Sequence, residues 1–336
     1  MANKTQQTSG NVTVPEHARK ALQAREVGNF LSNYAIIIII SIMVLAVGFS
    51  KPNFWTLDNG KNLIINIAPR FIIAAGVSGR LVGLSACVAA TVLQEVGYGA
   101  RFFPNMPDLP VIVGLLIAVA ITALFGMING MVIAWLKVPP FIATLGMQTI
   151  VYGICQIYTG NDPQGGLKDS YKAVANGSLF GVIPYLFLFA LVVGVFMWLL
   201  YNKTRHGKYM YAIGGNENAA AVAGVNVPAT LIRIYTLAGA LYGLAGFLLG
   251  AKAGGASTAT GFGYELEAIA ACTIGGVSTN GGVGTVPGIL LGVLVFEVLK
   301  ICLQYMQVNP AYTYIAQGIV IVVAVALDLR KYLAKK

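Results

Sequence analysis

Charge is scarce in this chain: Asp, Glu, Lys and Arg make up only 10% of its 336 residues, with 12 acids among them. A typical soluble domain carries about a quarter. Disorder is excluded, because it needs low hydropathy and many charges, and here the balance is reversed. Histidine is scarcer still. The two copies are His17 and His206, and neither lies in an apolar run beside a serine, a cysteine or a carboxylate. That excludes an intramembrane Ser–His hydrolase and a two-histidine metal site, so no metal is expected. The four cysteines, Cys87, Cys155, Cys272 and Cys302, sit singly in apolar runs without metal-like spacing. They read as small hydrophobes. No G-x-x-x-x-G-K-[ST] occurs, so the chain does not hold ATP through a P-loop, and no cofactor is expected.

What is abundant is apolar surface. The hydrophobic fraction is 57%, glycine numbers 40, and the mean hydropathy is +0.74. So few charges could not solvate the outside of one soluble core, whereas a bilayer accepts an apolar exterior. The expected fold is therefore an all-α polytopic membrane protein, in contact with lipid. Apolar runs fall at about 34–50, 62–79, 81–98, 110–136, 141–159, 181–201, 228–251, 264–277, 286–306 and 310–328. They predict about ten transmembrane helices within a domain over 34–328, flanked by tails 1–33 and 329–336. The run at 264–277 is short and ends in glycines, so it predicts a broken, half-length or re-entrant segment.

An even count puts both termini on one side. With that side inside, 14 basic residues fall inside and 6 outside, leaving Arg70 and Lys300 within spans. The positive-inside rule therefore places both termini in the cytoplasm. It also accounts for the net charge of +10 without nucleic acid, since the basic residues mark span ends rather than patches with interleaved aromatics.

Two polar segments interrupt the spans. Residues 160–178 predict an outer loop. Residues 202–227 are basic and then alanine-rich, and predict a short amphipathic helix on the inner face. Asn216 or Asn218 would cap it, Glu217 suits its first turn, and Gly224 would stop it. Charges near spans are Arg70, Arg80, Glu95, Glu265, Glu267, Glu297 and Lys300. Glu297 and Lys300 stand three apart and are expected to pair along their own helix, while Glu265 and Glu267 are expected at the interface. Gln148, Tyr152 and Gln156 recur every fourth residue and share one helix face.

At the inner loop the sequence resembles a known family. Lys203-Thr-Arg-His-Gly-Lys, Ala212-Ile-Gly-Gly-Asn-Glu-Asn-Ala-Ala and Ala223-Gly-Val-Asn-Val resemble the cytoplasmic loop of bacterial ABC sugar importer permeases of the ribose, xylose and galactose type. Those permeases are related to the branched-chain amino acid permeases. Tyr264-Glu-Leu-Glu-Ala-Ile-Ala-Ala-Cys-Thr-Ile-Gly-Gly-Val-Ser, Gly281-Gly-Val-Gly-Thr-Val-Pro-Gly and Pro140-Phe-Ile-Ala-Thr-Leu-Gly-Met carry further hallmarks. Within that family, Thr144-Leu-Gly, Val308-Asn-Pro and Ala324-Val-Ala-Leu-Asp resemble the galactose and methyl-galactoside type most.

The resemblance implies a permease subunit of the bacterial inner membrane rather than an enzyme. It implies a homodimer, a separate sugar-import ATPase and a periplasmic sugar-binding protein as partners. Asn216, Glu217, Ala219, Ala220, Val222, Ala223 and Gly224 match the coupling helix, with Ala220 placed on the face that enters the ATPase. The path for sugar is assigned to Gln148, Tyr152, Gln156, Gly275, Gly276, Ser278, Gly281 and Gly282, with Gly276 where a side chain would obstruct. Close helix packing is the competing role for these glycines. A permease for another pentose, a hexose or a branched-chain amino acid, or a stand-alone secondary transporter, remains an alternative.

One departure stands out. Family members usually carry an Asp-Leu-Ser-x-Gly stretch after the second span, and here Ala75-Gly-Val-Ser-Gly runs directly into Arg80-Leu-Val-Gly-Leu. From Asn62 to Gln94 there are 33 residues, and two full crossings at about 20 residues each exceed that. The second and third spans should then be short, broken or re-entrant, bending at Gly76, Gly79 and Gly83. Arg80 would then need water or Glu95 as a partner.

Overall fold

The computed structural model describes residues 38, 40–76, 81–278 and 281–333. It is all-α apart from one small hairpin. The helices are α1 (Ile40–Ser50), α2 (Leu57–Gly76), α3 (Leu81–Val92), α4 (Val111–Leu136), α5 (Pro140–Thr159), α6 (Asp169–Asn176), α7 (Tyr185–Lys203), α8 (Arg205–Gly215), α9 (Glu217–Val222), α10 (Val227–Ala253), α11 (Tyr264–Ile274), α12 (Val286–Tyr305) and α13 (Pro310–Leu333). Strands β1 (Ser178–Leu179) and β2 (Ile183–Pro184) pair antiparallel ahead of α7. The loop expected over 160–178 thus contains α6 and the start of the hairpin.

Helix α10 is the axis of the molecule, with 67% of its apolar window buried against 17–22% for α4, α5 and α7. Missing side chains bring its neighbours close. A Cβ at Gly126 of α4 would lie 2.3 Å from the Tyr235 carbonyl, and one at Gly239 would lie 2.4 Å from that of Thr122. Small residues at such crossings let backbones approach, which is how helices pack in lipid without a hydrophobic drive between them.

Five helices are long and apolar enough to cross a membrane: α4, α5, α7, α10 and α12. The expected ten is not reached by that measure among the described residues. Ile40–Ser50 and Ala311–Ala326 fall short in described length, α2 is diluted by Asp58, Lys61 and Arg70, and α11 has 11 residues. Helix α3 has 12, about 18 Å of rise against about 30 Å of hydrocarbon. Every one of its residues is buried, so it is short but not superficial.

Helices α2 and α3 run in opposite directions along the C-terminal half of α10. Lys252 reaches Asn66, a Cβ at Gly76 would lie 3.1 Å from the Tyr242 ring, and Val82 and Ala86 lie beside Gly246 and Gly250. The end of α2 and the start of α3 therefore both lie beside Tyr242–Gly246 of α10. Gly83 closes on the Thr260 carbonyl, 3.1 Å from its Cβ position. The expected bend residue Gly79 and the charge Arg80 lie outside the described residues. Glu95, the partner expected for Arg80, is exposed at the other end of α3, where its N–H donates to the Gly166 carbonyl.

Candidate coupling loop and transport path

The basic face of the molecule is built by 203–226. Helix α7 ends at Lys203, and Thr204 starts the next helix by accepting a hydrogen bond from the Gly207 N–H at 3.1 Å. Residue 207 must be glycine, since a Cβ there would sit 2.2 Å from the Leu200 carbonyl. The expected helix is α9, and a second helix that was not expected, α8, precedes it. Asn216, at φ −161°, is extended, so it ends α8 and begins α9, its Oδ1 accepting from the Ala219 N–H at 2.9 Å. Glu217 occupies the first turn as expected, where a carboxylate complements the helix dipole. Gly224 closes the helix at φ +86°, a conformation that glycine adopts without penalty. Asn226 then caps α10.

Exposure sorts this loop into two faces. Ala220 is only 4% exposed while Val222 is 91% exposed. Ala220 thus faces its own chain, not outward, which corrects the expectation for that residue: the backbone returns past it, the Val225 N–H donating to the Ala220 carbonyl. Ala219, Val222 and Ala223 form the outward surface. Lys137, in the left-handed turn between α4 and α5, pairs with Glu217 at 3.0 Å and ties that turn to the loop.

Gly275, Gly281, Gly282 and Gly288 serve contact between backbones. A Cβ at Gly275 would lie 2.1 Å from the Gly288 carbonyl, and one at Gly292 would lie 1.8 Å from that of Ala271, so α11 and α12 touch main chain to main chain. Gly281 and Gly282, at φ +91° and +75°, lie against Gly214 and Gly215, the last residues of α8. The Tyr211 hydroxyl donates to the Gly284 carbonyl at 2.7 Å. Gly276 is different. Nothing lies within 4 Å of its Cβ position, and its φ of +82° is what a side chain would oppose. The crowding of backbone expected at Gly276 therefore lies at Gly275. Ser278 lies in the same turn, its N–H donating to the Val283 carbonyl, and Thr279 lies outside the described residues.

The other end of α11 is held by charge. Arg70 of α2 lies 3.3 Å from Glu267 and 2.8 Å from Glu297 of α12, and Lys300 lies 2.5 Å from Glu267. The Arg70 guanidinium also sits over the Tyr264 ring at 4.7 Å, in cation–π geometry. The four charged side chains are each at most 15% exposed and sum to zero charge. Pairing is what permits such burial, because isolated ions in hydrocarbon are far more costly. This overturns one expectation. Lys300 crosses to α11 instead of pairing with Glu297 on its own helix, and the Glu267 it meets is largely enclosed by the protein. The signal was present in the sequence as in-span charges of balanced sign, but their partners lie up to 227 positions apart, as 70 and 297 show.

Of the residues expected on the path, Gln148 donates to Glu265 at 2.9 Å, so α5 meets the first turn of α11. Tyr152 and Gln156 follow on α5, each partly buried. Gly275, Gly276, Ser278, Gly281 and Gly282 lie at the opposite end of α11. The expected path residues thus divide between its two ends.

Residues 60–325 match the family described as branched-chain amino acid transport system / permease component. The chain belongs to this permease family. It is a multi-pass membrane transport component rather than an enzyme. The galactose/methyl galactoside import permease of Escherichia coli K12 is 42% identical over 334 residues, which cover 94% of this chain and 99% of the relative. The permease of the same name in Haemophilus influenzae is 40% identical over 335 residues, with the same coverage. The ribose import permease of Bacillus subtilis is 35% identical over 311 residues, 91% of this chain and 94% of that one. No solved structure matches the chain.

Proposed function

We propose that the chain is the translocating subunit of an ATP-driven importer for galactose or a methyl galactoside. The translocating domain is 34–328, two copies assemble in the bacterial inner membrane among its lipids, and both termini are cytoplasmic. A periplasmic sugar-binding protein delivers the sugar. A separate ATPase receives α8 and α9 on the cytoplasmic side, and 202–227 is the coupling segment. The similarity to galactose permeases supports the substrate, and the basic residues on the face of 203–226 support the orientation.

One observation carries the mechanism: Gly214 and Gly215 at the end of α8 lie directly on Gly281 and Gly282 of the turn that closes α11. A rigid-body displacement of α8 and α9 by an ATPase then moves the end of α11, because the contact has no side chains to absorb it. At its other end α11 carries Glu265, which holds Gln148 on the path face of α5. Tyr152 and Gln156 continue that face and offer hydrogen bonds without charge, which suits a sugar. Asn216, Glu217, Ala219, Val222, Ala223 and Gly224 form or shape the surface offered to the ATPase, and Ala220 anchors it from within.

The test uses the permease with its ATPase and binding protein in vesicles. Galactose should stimulate ATP hydrolysis, and Val222→Arg, on the outward face, should abolish that stimulation while the permease stays folded. Stimulation by ribose or leucine in place of galactose would overturn the substrate. Stimulation intact in Val222→Arg would overturn the coupling surface, and uptake without the ATPase would make the chain a stand-alone transporter.

A further inference from the structure

A groove of about 470 Å³ runs between α7 and α12, floored by α2. Its lining is wholly apolar. Phe187, Leu191, Val195 and Trp198 form one wall, and Leu290 and Leu294 of α12 face them. Gly194 lets the α7 wall close on the floor, since a Cβ there would lie 3.2 Å from the Phe71 ring. From Phe187 to Trp198 the groove follows α7 for about 16 Å, close to half of a hydrocarbon core of about 30 Å. One leaflet's acyl chain has that reach.

The end of the groove on the basic face differs from the rest. Trp198 is 42% exposed there, and the Lys203 ammonium sits 5.9 Å from its ring centroid. Arg205 and Lys208 follow in the next turns. Arg233 is close enough to His206 to depress that imidazole's pKa, an effect second to burial. Among the described residues no carboxylate pairs with Lys203, Arg205, Lys208 or Arg233. An aromatic side chain with uncompensated cations at the mouth of an apolar slot matches an interfacial headgroup site.

We propose that this groove binds an anionic phospholipid, one acyl chain lying along α7 against Phe71 and Gly194 and the phosphate held by Lys203 with Arg205 or Lys208. A second copy of the chain is the poorer occupant. A two-fold contact through this groove would bring the same unpaired cations toward their own counterparts. The site is independent of which solute is carried.

The full-length permease carrying Trp55→Phe and Trp135→Phe keeps Trp198 as its one tryptophan, since the chain has three. In phosphatidylcholine vesicles, phosphatidylglycerol with brominated acyl chains should quench Trp198 at lower mole fraction than brominated phosphatidylcholine. Lys203→Gln, an exposed change, should reduce that preference about fivefold, the effect of one cation near a membrane surface. Gly194→Leu should fill the slot and remove the quenching. Equal quenching by both lipids, or a preference unchanged in Lys203→Gln, would overturn the site. So would disulfide-linked pairs formed by Leu191→Cys in vesicles, which would give the groove to a second copy.

Discussion

The two ends of α11 are held by opposite means. At its first turn the contacts are charges and hydrogen bonds: Glu267 to Arg70 and Lys300, Glu265 to Gln148, Tyr264 under the guanidinium. At its last turn they are backbone against backbone, Gly275 on Gly288 and the following Gly281 and Gly282 on α8. The first kind is strong, directional and exchangeable, because an ion can be handed to water, to another side chain or to a hydroxylated solute. The second is steric, with nothing to exchange. Under the coupling proposed above, a helix so held would be moved from the glycine end and released at the charged end.

The largest effect should come from the charged end. Glu267→Gln keeps the shape but leaves Arg70 and Lys300 with Glu297 alone, a net buried cation. The loss of stability should be about 3–5 kcal/mol, the cost of breaking a buried ion pair by removing one partner. Thermal unfolding in detergent measures it. Lys300→Met added to Glu267→Gln should recover part of the loss, because the two sites share an interaction. An unchanged melting temperature in Glu267→Gln would mean that the cluster is wet and that the two ends of α11 are alike.

The glycine end makes a sharper, smaller contrast between neighbours. Gly275→Val would drive methyl groups into the Gly288 carbonyl and part α11 from α12, a loss of about 1–3 kcal/mol by overpacking. Gly276→Ala meets open space and is opposed by its positive φ alone, about 1–2 kcal/mol. The two differ in kind. Transport should fail in Gly275→Val, whereas Gly276→Ala should keep measurable uptake. Equal transport in the two would put the glycines on the sugar path rather than in the packing.

The short helix α9 was legible in the sequence because its determinants are local. Asn216 as a cap, Glu217 in the first turn and Gly224 as the stop are contacts within four residues. The shortness of α3 was legible too, since 33 residues cannot hold two full crossings, but α2 is an uninterrupted helix of 20 residues because it starts earlier than expected, at Leu57. The pairing of the charges was not. Glu297 and Lys300 share a helix, and nothing in that spacing reveals that α2 delivers an arginine and α11 a glutamate between them. The depth of Ala220 was hidden for the same reason, because the outward face of a six-residue helix is set by the turn that follows it. The glycines at 275 and 276 look alike in sequence, and only the position of α12 separates the crowded one from the open one.

The smallest effect should come from the hinge of the loop. Asn216 ends α8 and caps α9 with its Oδ1 on the Ala219 N–H, 2.9 Å away. Asn216→Ala removes that acceptor and should cost about 1 kcal/mol, within the usual range for a lost cap. The loss should stay local. Helix α8 keeps its own cap at Thr204, the Gly214 contact with Gly282 is made by backbone, and Glu217 still reaches Lys137. Global unfolding should therefore hardly move, while hydrogen exchange at the amides of 218–220 should quicken about fivefold, the factor equivalent to 1 kcal/mol. Coupling should weaken without disappearing, because α9 forms less often but α8 still bears on the glycine turn. Galactose-stimulated hydrolysis lowered only a few-fold would fit that division of labour between the two short helices. Complete loss would mean that α9 alone transmits the motion and that the contact between α8 and the glycine turn is passive.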